Sequence, residues 1–592
     1  MTTQYTPALK MDPKITAMSS NFIPAKPLEK IALSCSGGGY RAAAFHLGTM
    51  AYLYHLKYDG RPLLDNVKMI STVSGGTITG AVYALMKAKG EHFPAVYQFL
   101  IKTLDKVDLV REGLENMRPQ SAIWKDATDK RKNLINAFSL LYDKYFTENA
   151  TFGDLNRMRS HLEAVVFNTT EFNNAINFRF RNKGTGFFGN YRIRVPDESA
   201  LEVKLADAIA ASTCFPGGFE PMCWPQDFLH ANSPNLKALN TTTQPIGIMD
   251  GGIYDNQGID SILAYRKNNK GPYFDLIIVS DVASPYMDPF KFEEDSPKKG
   301  WLQLNYNMMI RKIRRKVFWL QVGLFTLFLG PLVLPFLWQY AASIFTGLCL
   351  GLSASGLILL ITYYFLSRKV KAFIKTAKRK VDGFHDSAFY LEKLSHLRIE
   401  EISFRRLQTL LLDRLNSMLS LLSSVFLKVI RRHHYQKLYT DEQYQYRRIT
   451  SLIKELTEAD YSAKNKRVAA EGDAVEKQPY TGILKGSYDE VVGSKIADLV
   501  NETSEFGTTL WFTEEQKLRD LLQKLVSTGE VTMCYNMVEY LERLQFTPRN
   551  GYAQLPAKTR KDIADLYDQC KNDWLLLKEN PLALMHPVVG WT

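Results

Sequence analysis

Ile70-Ser71-Thr72-Val73-Ser74-Gly75-Gly76-Thr77 joins an apolar stretch, Val67–Val73, to a helical one, Ile78–Ala88. The apolar stretch reads as a strand buried on both faces, since its apolar residues run on without strict alternation. A strand that passes into a helix through Ser-Gly-Gly is the setting of a nucleophile elbow, a strained turn that exposes a serine hydroxyl at the carboxyl end of a sheet. Small neighbours are needed because such a turn packs closely. Gly76 fills the second glycine of Gly-x-Ser-x-Gly, whereas Thr72 stands where the first is expected. A plain Ser-Gly-Gly turn without chemistry is the competing reading.

The elbow belongs to a longer alternation. Strand-like runs at Lys30–Cys35, Ala164–Asn168, Ile176–Phe180 and Phe274–Ser280 interleave with helical runs at Arg41–Leu56, Ile78–Ala88 and Val203–Ser212. This predicts an α/β unit over residues 28–300, with a mostly parallel sheet covered by helices. Residues 105–150, rich in charge and aromatics, read as a helical insertion without an evident role. Residues 1–27 are polar and read as a flexible leader with no cleavable signal.

Two more glycine clusters lie in this unit. Ser36-Gly37-Gly38-Gly39-Tyr40-Arg41 follows a strand and opens a helix. Consecutive glycines let backbone N–H groups converge on one point, and a helix N-terminus adds positive potential there. That builds an oxyanion hole or a phosphate cradle. A nucleotide P-loop is excluded because the Gly-Lys-Ser/Thr ending is missing. Met249-Asp250-Gly251-Gly252 follows Pro245–Met249 and precedes Tyr254-Asp255-Asn256. Alone it would read as a turn.

Taken in order, the three motifs resemble those of the patatin-like phospholipases: a glycine-rich oxyanion loop with a trailing Arg, a Gly-x-Ser-x-Gly serine, and a later Asp-Gly-Gly. Ala210-Ala211-Ser212-Thr213-Cys214-Phe215-Pro216 is similar to the family's Ala/Ser-rich segment before a proline. The resemblance implies a three-layer α/β/α hydrolase fold and a two-residue Ser–Asp arrangement. In it Ser74 is the nucleophile, Asp250 its base, and Gly37, Gly38 and Gly39 the oxyanion hole. Arg41 either holds a lipid phosphate or serves a structural ion pair. No His lies between Asp250 and His385, so a Ser…Asp…His order has no candidate in this unit. His46 and His230 lie earlier, away from any motif. No cofactor or metal is implied, since no ligand spacing is visible.

The net charge of +13 is local. Residues 311–316 hold five Lys/Arg and residues 368–380 hold seven, with no acidic residue in either window, so the rest of the chain nets +1. This argues against a nucleic-acid partner. Between the patches, Val317–Ser367 is 51 residues without Asp, Glu, Lys or Arg. One crossing needs roughly 20. The expectation is a transmembrane hairpin within 311–380, with spans at about 317–337 and 342–366 and a turn around Trp338–Ala341. Pro331 and Pro335 either kink the first helix or shift the turn earlier. A buried hairpin in a soluble core is the alternative. Basic flanks on both sides place both ends, the catalytic unit and both termini in the cytoplasm. Six scattered cysteines without a CxxC pair agree with a reducing compartment.

Residues 381–592 read as a helical C-terminal region. Within it, Leu407–Ile430, edged by Arg414, Lys428, Arg431 and Arg432, is either a packing helix or a helix on the membrane surface. Residues 462–479 read as a polar loop or linker, and Thr513–Arg549 as closing helices. These C-terminal helices are the candidate surface for a homo-oligomer. The whole points to a membrane-anchored lipid acyl hydrolase with the bilayer and its phospholipids as partners. A catalytically weak membrane scaffold or lipid-binding protein stands as the alternative. A channel is disfavoured, since two spans without an ionisable residue offer no pathway.

Overall fold

The computed structural model describes residues 23–157, 160–182, 188–265, 272–284, 305–337, 343–382, 403–421, 425–471, 482–548 and 550–585. They fall into two compact units, residues 1–288 with 425–592, and residues 289–424.

In chain order, β1 (Ile31–Cys35) leads through a glycine loop into α1 (Gly39–His55), and β2 (Val67–Val73) leads through the elbow into α2 (Gly75–Ala88). Then come α3 (Leu134–Tyr142), β3 (Ala164–Glu171), β4 (Ile176–Arg181), α4 (Leu205–Thr213), β5 (Met222–Trp224), β6 (Ile246–Asp250), the single turn α5 (Gly252–Asp255) and β7 (Leu276–Asp281). The second unit holds α6 (Tyr306–Leu337), α7 (Ser343–Asp382) and α8 (Phe404–Ser420). The chain re-enters the first unit as α9 (Phe426–Tyr439), β8 (Arg448–Leu452), α10 (Leu521–Phe546) and α11 (Ala557–Glu579).

All the strands named belong to one eight-stranded sheet. β1 sits between β2 and β7, parallel to both; β7 pairs in parallel with β8, and β2 with β3. The pairs β3–β4, β3–β6 and β5–β6 are antiparallel. The sheet is thus mixed and mostly parallel, as the strand–helix alternation predicts. β1 is buried along its whole length. α1 is apolar nearly all round, and from Gly39 to Leu53 only Arg41 escapes full burial, as expected of a helix enclosed on every side. Its cover includes α10, and the two cross backbone against backbone. A Cβ added at Gly48 would strike the Val526 carbonyl, and one at Gly529 the Phe45 carbonyl.

The C-terminal segment is woven into this unit, because β8 extends the sheet at β7 and α10 packs on α1. The linker expected over 462–479 is, up to Glu471, the helix Glu458–Glu471. Lys464 holds it by ion pairs of 2.7 Å to Glu455 and 3.0 Å to Glu539. Residues 472–481 lie outside the described ones, as do residues 1–22 of the leader and the 338–342 turn. The insertion at 105–150 is anchored by polar contacts. Lys130 reaches the buried Asp207 of α4 at 2.7 Å, and the Tyr142 hydroxyl donates to Thr213 at 3.2 Å.

In the second unit α6 runs through Pro331 and Pro335 to Leu337, so the prolines do not end it. Asn307–Pro335 and Ile344–Lys369 are long and apolar enough to cross a membrane, with mean hydropathies of 2.0 and 2.2. The two helices pack antiparallel. Gln321 donates to the Tyr363 hydroxyl at 3.1 Å, and a Cβ at Gly356 would come within 2.9 Å of the Phe328 backbone. A small residue at such a contact lets two helices approach closely. The Leu407–Ile430 stretch is helical as α8 up to Ser420 and again as α9 from Phe426, in different units, with residues 422–424 outside the described ones.

Candidate active site

β3 brings the elbow and the Asp-Gly-Gly motif together. Its residues 169–171 pair with β4 along one edge, so β2 and β6 share the other. β2 runs along that edge from one direction and ends with Val73 opposite Asn168. β6 arrives from the other direction and ends with Asp250 opposite Thr169. Two strand ends meet at adjacent positions, and the next residue after β2 is Ser74.

Ser74 has φ 50° and ψ −122°, a conformation that costs a side-chain-bearing residue of order 1–3 kcal/mol. The surroundings hold it there. The Ser74 N–H donates to Ser212 Oγ at 2.9 Å, and Ser212 in turn donates to the Asn168 carbonyl at 2.8 Å. Thr77 N–H closes the first turn of α2 on the Ser74 carbonyl at 2.8 Å. Gly76 leaves no room for a Cβ, which would come within 2.5 Å of the Cys35 carbonyl. Thr72, the departure from Gly-x-Ser-x-Gly, is accommodated by Gly80 on α2, where an added Cβ would lie 2.5 Å from the Thr72 methyl. Its hydroxyl bonds that of Thr77 at 3.0 Å.

The Asp250 carboxylate is buried and accepts the Gly252 N–H at 2.6 Å. Burial pushes its pKa up to about 6, against the lowering effects of the Gly252 N–H and the Ser74 hydroxyl. Its own N–H donates to the Cys214 carbonyl at 2.9 Å, which ties the aspartate to the Ala210–Pro216 segment.

The glycine loop lies against both. A Cβ at Gly37 would sit 2.9 Å from the Ser74 Cβ and 2.5 Å from Asn256 Oδ1. Gly39 has φ +62°, and Gly75 packs on its backbone with only 2.6 Å between a would-be Cβ and the Gly39 nitrogen. Gly37 N–H already donates to the Asn256 carbonyl at 3.1 Å. Gly38 and Gly39 N–H, at the start of α1, have no such partner among the described residues.

Residues far along the chain brace this loop, and sequence reasoning missed them. The Thr509 carbonyl accepts the Tyr40 N–H at 2.8 Å and fills the space beside Gly39. Arg41 donates to the Phe506 carbonyl at 2.7 Å. Ser212 and Asn168 were likewise unassigned; Ser212 at least lies in the motif segment, whereas nothing in residues 506–509 points to the loop. Both nitrogens of His46 are engaged, by Ser280 Oγ at 2.8 Å and the Ser36 carbonyl at 2.9 Å, and burial pushes its pKa down to about 4. His230 bonds the Glu202 carbonyl at 2.8 Å.

Residues 33–263 match the family model of the patatin-like phospholipases. Among solved structures, human GIVD cytosolic phospholipase A2 is similar over 43% of this chain and 46% of that one, at 12% identity and a TM-score of 0.29. Its complex with methyl gamma-linolenyl fluorophosphonate and terbium chloride gives 13% identity and a TM-score of 0.28 over 43% and 41%. The match thus spans less than half the length of these structures. No curated protein matches the sequence. Residues 33–263, which hold the elbow, the glycine loop and the Asp-Gly-Gly motif, thus form a patatin-like phospholipase family-model domain.

Proposed function

We propose that the chain is a membrane-anchored serine lipid acyl hydrolase that cleaves fatty-acyl esters of membrane phospholipids through a Ser74–Asp250 dyad. The observation that carries this reading is that Ser74, on its strained turn, follows the strand end that meets Asp250, whose buried carboxylate its hydroxyl helps to keep charged. A serine hydroxyl needs a base to become a nucleophile. Asp250 takes the proton, Ser74 attacks the ester carbonyl, and the alcohol leaves with that proton. Water, deprotonated in the same way, releases the fatty acid. Gly38 and Gly39 N–H stabilise the oxyanion, each donor of this kind being worth roughly 10²–10³ in rate. The Gly37 N–H supports the loop through Asn256 instead. Arg41, bonded to the Phe506 carbonyl, acts as a tether for α1 rather than as a phosphate ligand. Phe215, exposed next to Cys214, offers an apolar surface for an acyl chain at the edge of the site.

The α6–α7 hairpin supports anchoring. Its apolar side chains are exposed along both helices, as those of a lipid-facing pair would be. Basic residues 311–316 and 368–380 hold both ends of the hairpin, and with them the catalytic unit and termini, on the cytoplasmic side. Tethering raises the local concentration of phospholipid at the site.

The test is fatty-acid release from mixed phospholipid vesicles by the detergent-solubilised protein, beside Ser74→Ala and a fluorophosphonate serine probe. Release and labelling by the wild type, both lost in Ser74→Ala, are expected. A wild type that neither hydrolyses nor labels would put the scaffold reading first.

The raised Asp250 pKa sets the pH dependence. The base works as a carboxylate, so hydrolysis of a soluble p-nitrophenyl ester should fall tenfold per pH unit below about pH 6 and be level above it. A rate unchanged down to pH 5 would remove Asp250 as the base.

A further inference from the structure

We propose that α8 (Phe404–Ser420) is an in-plane membrane helix, seated at the boundary of headgroups and acyl chains of the same bilayer that the α6–α7 hairpin crosses. This rests on the membrane reading of the hairpin and adds a second, differently built contact.

α8 is turned inside out for a helix in water. Leu411, Leu415 and Met418 are 58%, 49% and 56% exposed, and at 100° per residue they share one face with Phe404. The polar residues Arg405, Thr409, Asp413 and Ser417 recur every fourth position on the opposite face and are half-covered, as is Phe404, while Arg406 and Asn416 on that side are exposed. A helix with its leucines and methionine this exposed lacks an apolar cover. In the same compact unit stands a hairpin whose apolar surface is exposed in the same way.

The placement of α8 selects the bilayer as that cover. Asn305 and Ser403 form an antiparallel bridge. Each of them also caps a helix: Asn305 Oδ1 accepts the Met308 N–H at 2.8 Å, and Ser403 Oγ accepts the Arg406 N–H at 3.3 Å. α6 and α8 therefore start side by side, at the basic end of the first span, where Arg311–Lys316 lies. Beyond that start they share no extended interface among the described residues. α8 is unsuited to cross, because Arg405, Arg406, Asp413 and Arg414 are spread along it. It is suited to lie flat, with its apolar arc in the acyl boundary and the exposed Arg406 and Arg414 reaching to anionic headgroups.

The test uses the full chain carrying Ser74→Ala, so that probe lipids are not consumed. It is reconstituted in phosphatidylcholine–phosphatidylglycerol vesicles doped with a phospholipid bearing a diazirine in its acyl chain. After irradiation, lipid adducts are mapped by peptide mass spectrometry. Adducts are expected on residues 307–335 and 344–369 and also on Leu411, Leu415 and Met418, with Thr409, Asp413 and Ser417 clear. Leu411→Asp with Leu415→Asp should abolish the α8 adducts and leave those of the spans. Adducts on the spans alone would overturn the proposal while leaving the hairpin reading intact. Adducts on neither would overturn both.

Discussion

Asp250→Asn is expected to lower ester hydrolysis by roughly 10³–10⁴-fold, in line with the loss of a positioned base in serine hydrolases, while the protein remains folded. The change is nearly isosteric. The amide oxygen still accepts the Gly252 N–H, now at 2.6 Å, so the strand end should keep its place. On the proposed dyad the amide has no affinity for the serine proton, and Ser74 loses its base. Stability should respond in the opposite sense. The folded-state pKa of Asp250 is raised to about 6 from the ordinary 3.8. The native state therefore holds a proton that the unfolded chain has given up between those values. Stability from this group is full below about pH 4 and declines as pH rises through 6. A neutral Asn avoids that decline, so the Tm of Asp250→Asn should equal or exceed the wild type at pH 8 and lose the advantage at pH 4. Residual activity above a few per cent would point to a different base. A collapsed Tm at both pH values would mean that the carboxylate holds the fold and the kinetics say nothing of catalysis.

Gly529→Val is expected to be the most damaging single change distant from Ser74. At the α1–α10 crossing a Cβ on residue 529 would strike the Phe45 carbonyl and lie 3.0 Å from the Thr49 nitrogen and 3.1 Å from the Gly48 Cα. All three are backbone atoms, which cannot rotate aside, so the helices must separate. Overpacking in a core costs typically 1–3 kcal/mol where side chains can yield. Here about 3 kcal/mol or more is expected, read as a lower midpoint in urea with an unchanged slope. Activity should fall with it even where the protein is still folded, because α1 carries Gly39 at its start. Gly529→Ala should be milder in the same direction. A midpoint equal to the wild type would show that the crossing is looser than the contacts describe.

The parts that were legible in sequence share one property: their local pattern agrees with their final environment. Ile31–Cys35 and Val67–Val73 are apolar and buried, and each runs straight into a glycine turn, so strand, turn and helix could all be read from neighbours in the chain. The Ser, Asp and Gly motifs were found for the same reason. β8 shows the opposite case. Arg-Ile-Thr-Ser-Leu has no strand-like signature of its own and becomes a strand because β7 offers it an open edge. α10 is buried around most of its circumference despite Thr, Ser, Gly, Glu and Asn along it, which a reading of local amphipathicity takes for an ordinary surface helix. Thr509 and Phe506 brace the glycine loop through their carbonyl groups. Every residue has a carbonyl, so side-chain identity carries no trace of that role. The Gly37 N–H is a similar case: its partner is the main chain of Asn256, which only the folded loop brings within reach.

The adjacency of β7 and β8 has a consequence for biosynthesis. These neighbouring strands are made with the whole of residues 289–424 between them. A ribosome that has just released Ser74 and Asp250 has still to make α6 and α7, then β8, then the α10 that covers α1. Sheet edge and helical cover both wait for long-range contacts, which form late in folding. On the membrane reading, two hydrophobic segments must meet the insertion machinery before the hydrolase half has the residues it needs to close. Nascent chains released at about residue 300 should therefore lack a stable α/β unit. On the proposed function, competence to cut lipid would then arise only after the anchor has been made, so that the catalytic unit is not complete in solution ahead of its delivery to a bilayer.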